Sequence, residues 1–433
     1  MFCFIVVDFF FFSTTFVGMR GINTKEIMAV IGIFLYVTDL RRKGNIGLSK
    51  EFIGLVIYSL LISLAAVFTS VYHNTRETVY TTYFMSMLTW LGGAYTAVRA
   101  VKAVHGKISV EILSAYIVAV SVTQGMLSVI ADIYTPLGDF FCRVIPGLTF
   151  SRSSNRLFGF GSMTTLDTAG IRYGIAALLS CNCIVSAIKE EDTKNVPWYI
   201  LAFLIITVTG NMVARTTSVG CLVGLGYLLL YLVPLKTAVS QATLRTWLWI
   251  IVLTAGFFLL MTVLYNSDSN FHDRTRFAFE GFFSMIETGH WETGSNNVLK
   301  EMYIWPDNAH TWILGDGYFN NPRNDPNFLG EVTHGYYMHT DVGYLRFIYF
   351  FGLIGLTIFS LFIIFAGRTC ARLTPGYALF FLALTAMHFL VWLKVATDCF
   401  FILGLFVCLG YVTSELEDDE EIEEMEETEM IKE

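Results

Sequence analysis

Twelve apolar stretches run through the chain, and one long polar segment, about Asn266 to Thr340, interrupts them. A helix needs roughly 20 apolar residues to cross a bilayer. The pattern predicts helices near 2–18, 26–40, 52–71, 80–101, 109–131, 163–187, 197–213, 217–235, 246–265, 342–366, 375–393 and 396–414. Open sheets cannot satisfy their backbone groups in lipid. The expected fold is therefore an all-α polytopic membrane protein. It has about 12 transmembrane helices, with one large external loop, about 266–340, between helices 9 and 10.

The short loops give an orientation. Arg41, Arg42, Lys43 and Lys50 share one loop, and Arg99, Lys102 and Lys107 share the next alternate one. Lys189 with Lys194, Lys236 with Arg245, and Arg368 with Arg372 continue the alternation. Short loops rich in Lys and Arg stay on the cytoplasmic side. Both termini are then expected in the cytoplasm and the 266–340 segment outside.

Composition supports this picture. The chain is 55% hydrophobic and 15% charged, with 38 Phe and 21 Tyr, whereas a soluble domain carries about a quarter charged residues. The net charge of −8 comes mostly from the tail Glu415 to Glu433. Without that tail the chain is slightly basic. The chain divides into a transmembrane domain, 1–414, and an acidic cytoplasmic tail, 415–433. A block of like charge reads as a solvated, disordered or loosely helical extension. The eight cysteines lie mostly in apolar runs and form no CxxC pair, so neither a disulfide framework nor a zinc site is indicated. The N-terminus, MFCFIVVDFFFF, lacks a basic region and a small-residue cleavage site. It reads as a first helix. Gly220 and Gly224 form GxxxG in an apolar helix, a sign of close helix packing.

Charges near the outer membrane face carry the candidate chemistry, because a charge in a membrane helix is costly and usually functional. Arg143, Arg152, Arg156 and Arg172 surround one outer re-entry point, and Arg215 sits in the short turn TGNMVARTTSVG. Arg274 and Arg276 lie in the long outer segment, and Arg346 begins the tenth helix. Arginine binds phosphate oxygens through a planar fork. A converging set suits a pyrophosphate or another polyanion at the lipid boundary. The plainer reading is that each sits at a helix end, snorkels to headgroups or pairs with a local acid.

A second set is acidic and imidazole: Asp307, His310, Asp316, His334, His339 and Asp341. Such a group at a membrane entrance can act as general base toward a sugar hydroxyl, and partial burial raises a carboxylate pKa toward neutrality. The plainer reading is helix capping, since Thr340 and Asp341 are good N-caps. The aromatics Trp291, Trp305, Trp312, Tyr318, Tyr336 and Tyr337 suit sugar stacking or an interfacial belt equally. Asp8 and Lys394 lie inside or at the ends of apolar runs and suit an ion path, without a paired set. The chain carries no nucleotide-binding loop, metal-ligand cluster or nucleophile elbow. No cofactor, metal or nucleic acid is expected.

These residues resemble a known group, the Wzy-type polysaccharide polymerases of the O-antigen polymerase/ligase superfamily. The layout is similar, with about a dozen helices and one large external loop ahead of the last few. RLFGFG (Arg156 to Gly161) resembles the family's Arg-x-x-Gly element, and VTGNMVARTTSVG its arginine-bearing turn. ILGDGYF resembles the Leu-Gly-x-Gly element of the loop, and TDVGYLRFIYFFGLIG the loop exit. The similarity covers roughly 150 to 355. Ligases of the superfamily carry a histidine eleven residues before a Gly-x-x-Gly. Here that pair is Gly352 and Gly355, and Asp341 stands at the histidine's position, with His339 two residues out of register.

The resemblance implies a membrane glycosyltransferase of the bacterial inner membrane, acting at its outer face without metal or nucleotide. Its substrate is a polyprenyl-pyrophosphate-linked oligosaccharide drawn from membrane lipid, and its partners are chain-length regulator and flippase proteins. Asp341 or His339 then acts on the acceptor hydroxyl. Arg215, with Arg156, Arg172, Arg276 or Arg346, holds the pyrophosphate; His310 and Asp316 are further loop candidates. Two alternatives stand beside this reading: an O-antigen ligase, and a flippase for lipid-linked oligosaccharide.

Overall fold

The computed structural model describes residues 1–19, 21–43, 49–146, 148, 156–159, 166–233, 240–328 and 335–413. Arg152, His334, Lys236 and the acidic tail lie outside the described residues. Among those described the chain is helical, and its one β-bridge joins Thr15 to Asn23. Six helices are long and apolar enough to cross a membrane. They are α3 (Lys50–Tyr72), α5 (Val110–Ile133), α7 (Leu166–Lys189), α8 (Val196–Val213), α10 (Gln241–Ser267) and α15 (Gly343–Leu373). Four shorter apolar helices join them: α1 (Phe2–Phe11), α9 (Thr217–Leu232), α16 (Ala378–Val391) and α17 (Phe400–Thr413). The more polar α2 (Thr24–Lys43) and α4 (Tyr83–His105) pack against each other, and the short α6 (Thr135–Val144) packs on α5.

The first helix is shorter than the 2–18 the sequence suggests. Ten residues rise only about 15 Å, and the chain leaves the helix where threonines offer other partners. Thr14 donates to the Phe12 carbonyl, and Thr24 donates to the Phe9 carbonyl. Elsewhere helix starts follow side-chain caps. Ser49, Ser109 and Ser240 accept from the backbone amides of Phe52, Ile112 and Thr243. Each such cap is worth about 1 kcal/mol.

Helix α7 is the centre of the bundle, with 89% of its apolar window buried, whereas α10 has none of its window buried and lies at the edge. Helix α9 seats on α7 through small residues. A Cβ on Gly220 would stand 2.2 Å from the Gly174 carbonyl oxygen, so the two backbones touch. The GxxxG pair therefore serves packing.

The expected external loop is itself helical. After α10 come α11 (Ser269–Ala278), α12 (Glu280–Thr288), α13 (Gly294–Glu301) and α14 (Ala309–Leu314). Arg274 of α11 bonds the Asp132 carboxylate through both Nε and Nη2, at 3.3 and 2.8 Å, and so ties this segment to the end of α5. The later part docks on the α3–α4 link. Glu77 accepts from the amides of Phe319 and Asn320, and Asp325 from that of Arg76.

Helix α15 is broken within its span. Phe351 and Gly352 leave helical geometry, Gly352 at φ 65° and ψ −171°. A break inside a membrane helix is tolerated only where protein supplies partners for the freed backbone. The GDG turn supplies them: Asp316 N–H donates to the Tyr349 carbonyl at 2.6 Å, and Gly317 N–H to that of Phe350 at 3.1 Å.

The basic loops gather at the opposite end of the bundle. Arg99 pairs with Asp39 at 3.4 Å, Arg372 with Glu51 at 3.5 Å, and Lys189 donates to the Gly376 carbonyl.

Candidate functional site

Four stretches meet at the end away from the basic loops: residues 156–159, the α8–α9 turn, the start of α15, and the 392–399 link between α16 and α17. Leu157 N–H donates to the Met212 carbonyl and holds the first stretch beside the turn that carries Arg215. The guanidiniums of Arg156 and Arg215 both lie on the ring of Phe277, at 4.9 and 4.4 Å. Two like charges on one ring repel each other and attract an anion.

The two arginines differ in how they are held. Arg215 is fully engaged: it pairs with Glu280 at 2.5 Å and donates to the Phe277 carbonyl and to Ser295, each at 3.0 Å. It therefore clamps α11, α12 and α13 onto the α8–α9 turn. Among the described residues Arg156 makes no ion pair or hydrogen bond. Burial pulls its pKa below the usual arginine range, with Arg215 adding to the effect and Asp167 opposing it.

Lys394 completes the cationic set. It is half-buried and makes no direct ion pair or hydrogen bond among the described residues. It lies within electrostatic range of Asp167, Arg215, Arg156 and Asp341. Burial pulls its pKa below the usual lysine range. A half-buried cation without a partner is costly, and an incoming anion offsets that cost.

Asp341 faces this set. It does not cap α15: Val342 holds the N-cap position without a side-chain bond, and Thr340 accepts from the Val342 amide. The Asp341 carboxylate instead lies 3.2 Å from Arg346. Arg346 is buried between the rings of Phe319 and Tyr336, at 4.0 and 4.2 Å, and also donates to the Phe319 carbonyl and to Asn320. Its two terminal nitrogens are engaged by the protein and hold Asp341 in place. Burial pushes the Asp341 carboxyl up to about 6, with Arg346 pulling it back and Asp167 adding to the rise.

A carboxylate accepts a proton only when ionised, and the ionised fraction of Asp341 grows as pH rises through about 6. Any reaction in which Asp341 serves as the base is therefore expected to speed up through that pH and level off above it. Asp341→Asn is expected to lose both the climb and most of the rate. A flat profile in the wild-type protein would remove Asp341 as the base.

The structure separates the remaining sequence candidates from this cluster. Arg172 is buried inside α7, where it donates to the carbonyls of Phe11 and Thr168. Arg276 is exposed and paired with Glu287 at 2.8 Å. It lines, with Arg215, a cavity of about 540 Å³ that Glu280, Glu287 and Glu292 also line, which makes it a poor anion site. Asp316 accepts from Thr311 at 2.5 Å and Tyr337 at 3.1 Å, and so shapes the turn on α15. His310 packs against Tyr72 and His73. His339 is exposed, in a left-handed backbone conformation at φ 54°. Asp8 accepts from Gln124 at 2.6 Å, far in sequence from Lys394.

No family model, curated protein or solved structure matches the chain.

Sequence reasoning missed Asp167 and gave Lys394 to an ion path. Asp167 falls in the first turn of α7, where an acid reads as a complement to the helix dipole. For Lys394 the available signal was a lone lysine between the last two apolar runs, which marks a functional position by default.

Proposed function

We propose that the protein is a membrane glycosyltransferase that extends a polysaccharide from polyprenyl-pyrophosphate-linked repeat units. The observation that carries this reading is the pair of cations that make no direct ion pair among the described residues, Arg156 and Lys394, beside a carboxyl whose pKa burial raises to about 6, Asp341. The cations suit the pyrophosphate of the donor, whose departure they stabilise as charge develops. Asp341 takes the proton from the acceptor hydroxyl, the new glycosidic bond forms at the donor's anomeric carbon, and the lipid pyrophosphate leaves. Arg215 holds the outer helices over this point through Glu280, and Arg346 orients Asp341. The gathering of basic loops at the opposite end supports placing the site on the outer face of a bacterial inner membrane, with both termini in the cytoplasm and about 12 crossings.

The replacement of the ligase-type histidine by Asp341 favours a polymerase over a ligase. Transport is less well supported, because these cations, unpaired among the described residues, lie at one end of the bundle. Deletion of the gene in its host, with surface glycan and lipid-linked intermediates resolved on a gel, separates the three. A single lipid-linked repeat accumulating on the outer leaflet is the expected result. Long lipid-linked polymer left untransferred would instead mean a ligase. Repeats trapped on the cytoplasmic leaflet would mean a flippase and end the catalytic assignment.

A further inference from the structure

A second polar cavity adjoins the Asp341 cluster. Its volume is about 330 Å³, and Tyr80, Ser86, Trp90, Arg172, Thr397 and Asp398 are among the residues that line it. It shares two segments with the candidate site. On α7, Asp167 belongs to the cluster while the next residue, Thr168, lines the cavity; on the α16–α17 link, Lys394 serves one and Thr397 and Asp398 the other.

The lining offers many hydrogen-bonding groups that the protein does not use. Among the described residues the hydroxyls of Tyr80, Thr82, Ser86 and Thr397 make no hydrogen bond. Asp398 accepts from Tyr83 at 2.8 Å and from the Phe400 amide at 2.7 Å, which leaves further lone pairs of its carboxylate available. Arg172 has five N–H groups, and its two bonds to the Phe11 and Thr168 carbonyls leave the others over. The walls are aromatic, formed by Trp90, Phe401, Tyr80 and Tyr83.

Tyr80 adds an observation of another kind. It sits at φ 62°, a left-handed conformation that is an outlier for a bulky residue. Backbone strain of this sort clusters at ligand clamps. Its ring is fixed there by Phe319 from the outer segment and by Phe347 and Phe359 of α15.

We propose that this cavity binds a sugar ring of the oligosaccharide whose pyrophosphate sits at Arg156 and Lys394. Each sugar hydroxyl is both donor and acceptor, and a wall of unengaged hydroxyls, one carboxylate and one guanidinium matches several at once. An inorganic anion would meet the Asp398 carboxylate beside Arg172. The volume lies at the small end of the range for ligand sites, enough for one or two rings. The inference rests on the transferase reading, and its test can fail separately from that reading.

The test measures binding of the host's own repeat oligosaccharide, released from its lipid by mild acid, to the full-length protein in nanodiscs, by calorimetry. Gly226→Ala, whose added Cβ meets nothing within 4 Å, is expected to bind the probe as the wild-type protein does. Ser86→Trp, which fills the cavity, and Asp398→Asn, which keeps its shape, are each expected to weaken binding at least tenfold. Thr397→Val offers a third variant if either fails to fold, judged by its melting temperature. Equal binding by wild type and folded cavity variants would overturn the proposal, as would no binding by wild type. Competition by inorganic phosphate alone would also overturn it and mark an anion site. The transferase reading stands or falls on the gel of lipid-linked intermediates, whichever way the calorimetry falls.

Discussion

Under the proposed transferase reading, replacing Lys394 with glutamine is expected to stop chain extension while leaving the protein in the membrane at its normal level. Glutamine keeps most of the side-chain length and removes the charge. Loss of one preorganised group facing developing negative charge costs about 10²–10³-fold in rate. The same change removes a half-buried cation that makes no direct ion pair among the described residues, so the unliganded protein has no reason to lose stability. The two effects separate in a thermal-shift experiment on detergent-solubilised protein. Binding to the folded state alone stabilises by about 2.7 kcal/mol at a ligand concentration 100 times the Kd. Inorganic pyrophosphate is therefore expected to raise the melting temperature of the wild-type protein and to leave that of Lys394→Gln where it was. Extension at the wild-type rate by the variant would take Lys394 out of the mechanism. Lys394→Arg is expected to recover part of the rate, because the charge returns on a fork of different shape.

Gly352→Val is expected to abolish folded protein or lower its melting temperature by many degrees. The glycine stands at φ 65° and ψ −171°, a region that only glycine occupies without strain, at a cost of about 1–3 kcal/mol for other residues. A Cβ there would also meet the Ile313 carbonyl oxygen at 2.1 Å, which is backbone and cannot swing aside. Relief requires the 313–317 turn to leave α15, and with it go the bonds from Asp316 and Gly317 to the carbonyls of Tyr349 and Phe350. Gly226→Ala is the control, since nothing lies within 4 Å of its added Cβ. Its melting temperature is expected to match that of the wild-type protein. A Gly352→Val protein that melts like the control would show that the break in α15 is dispensable.

The helices were legible because a membrane span imposes one simple requirement, a run of apolar residues; six of the apolar runs fall on helices long and apolar enough to cross, and the others on shorter or more polar helices. The ends were less legible where polar side chains compete, as Thr14 and Thr24 do after α1. The break in α15 was not readable from hydropathy at all, since FIYFFGLIG is apolar throughout. What marks it is a contact with a turn some 35 residues earlier in the chain. Among the site candidates, arginine placement was readable and arginine availability was not. Arg156 and Arg215 share the Phe277 ring, yet Arg215 is spent on Glu280, and that acid lies 65 positions away. Arg346 was readable as a charge at a helix start, while its burial between Phe319 and Tyr336 depends on chain segments that only folding brings together. Asp341 read as a cap on its own and as a base only beside the arginines, and the geometry of Val342 and Arg346 decides against the cap.

The bonds between the GDG turn and the interior of α15 also bear on how this chain can be recombined. Residues 309–317 and 343–355 act as one cassette, since neither half has its backbone complete without the other. A hybrid that takes its outer segment from one parent and its next helix from another must therefore place both junctions outside 309–355. A crossover between them would join a turn to a helix that lacks the matching gap.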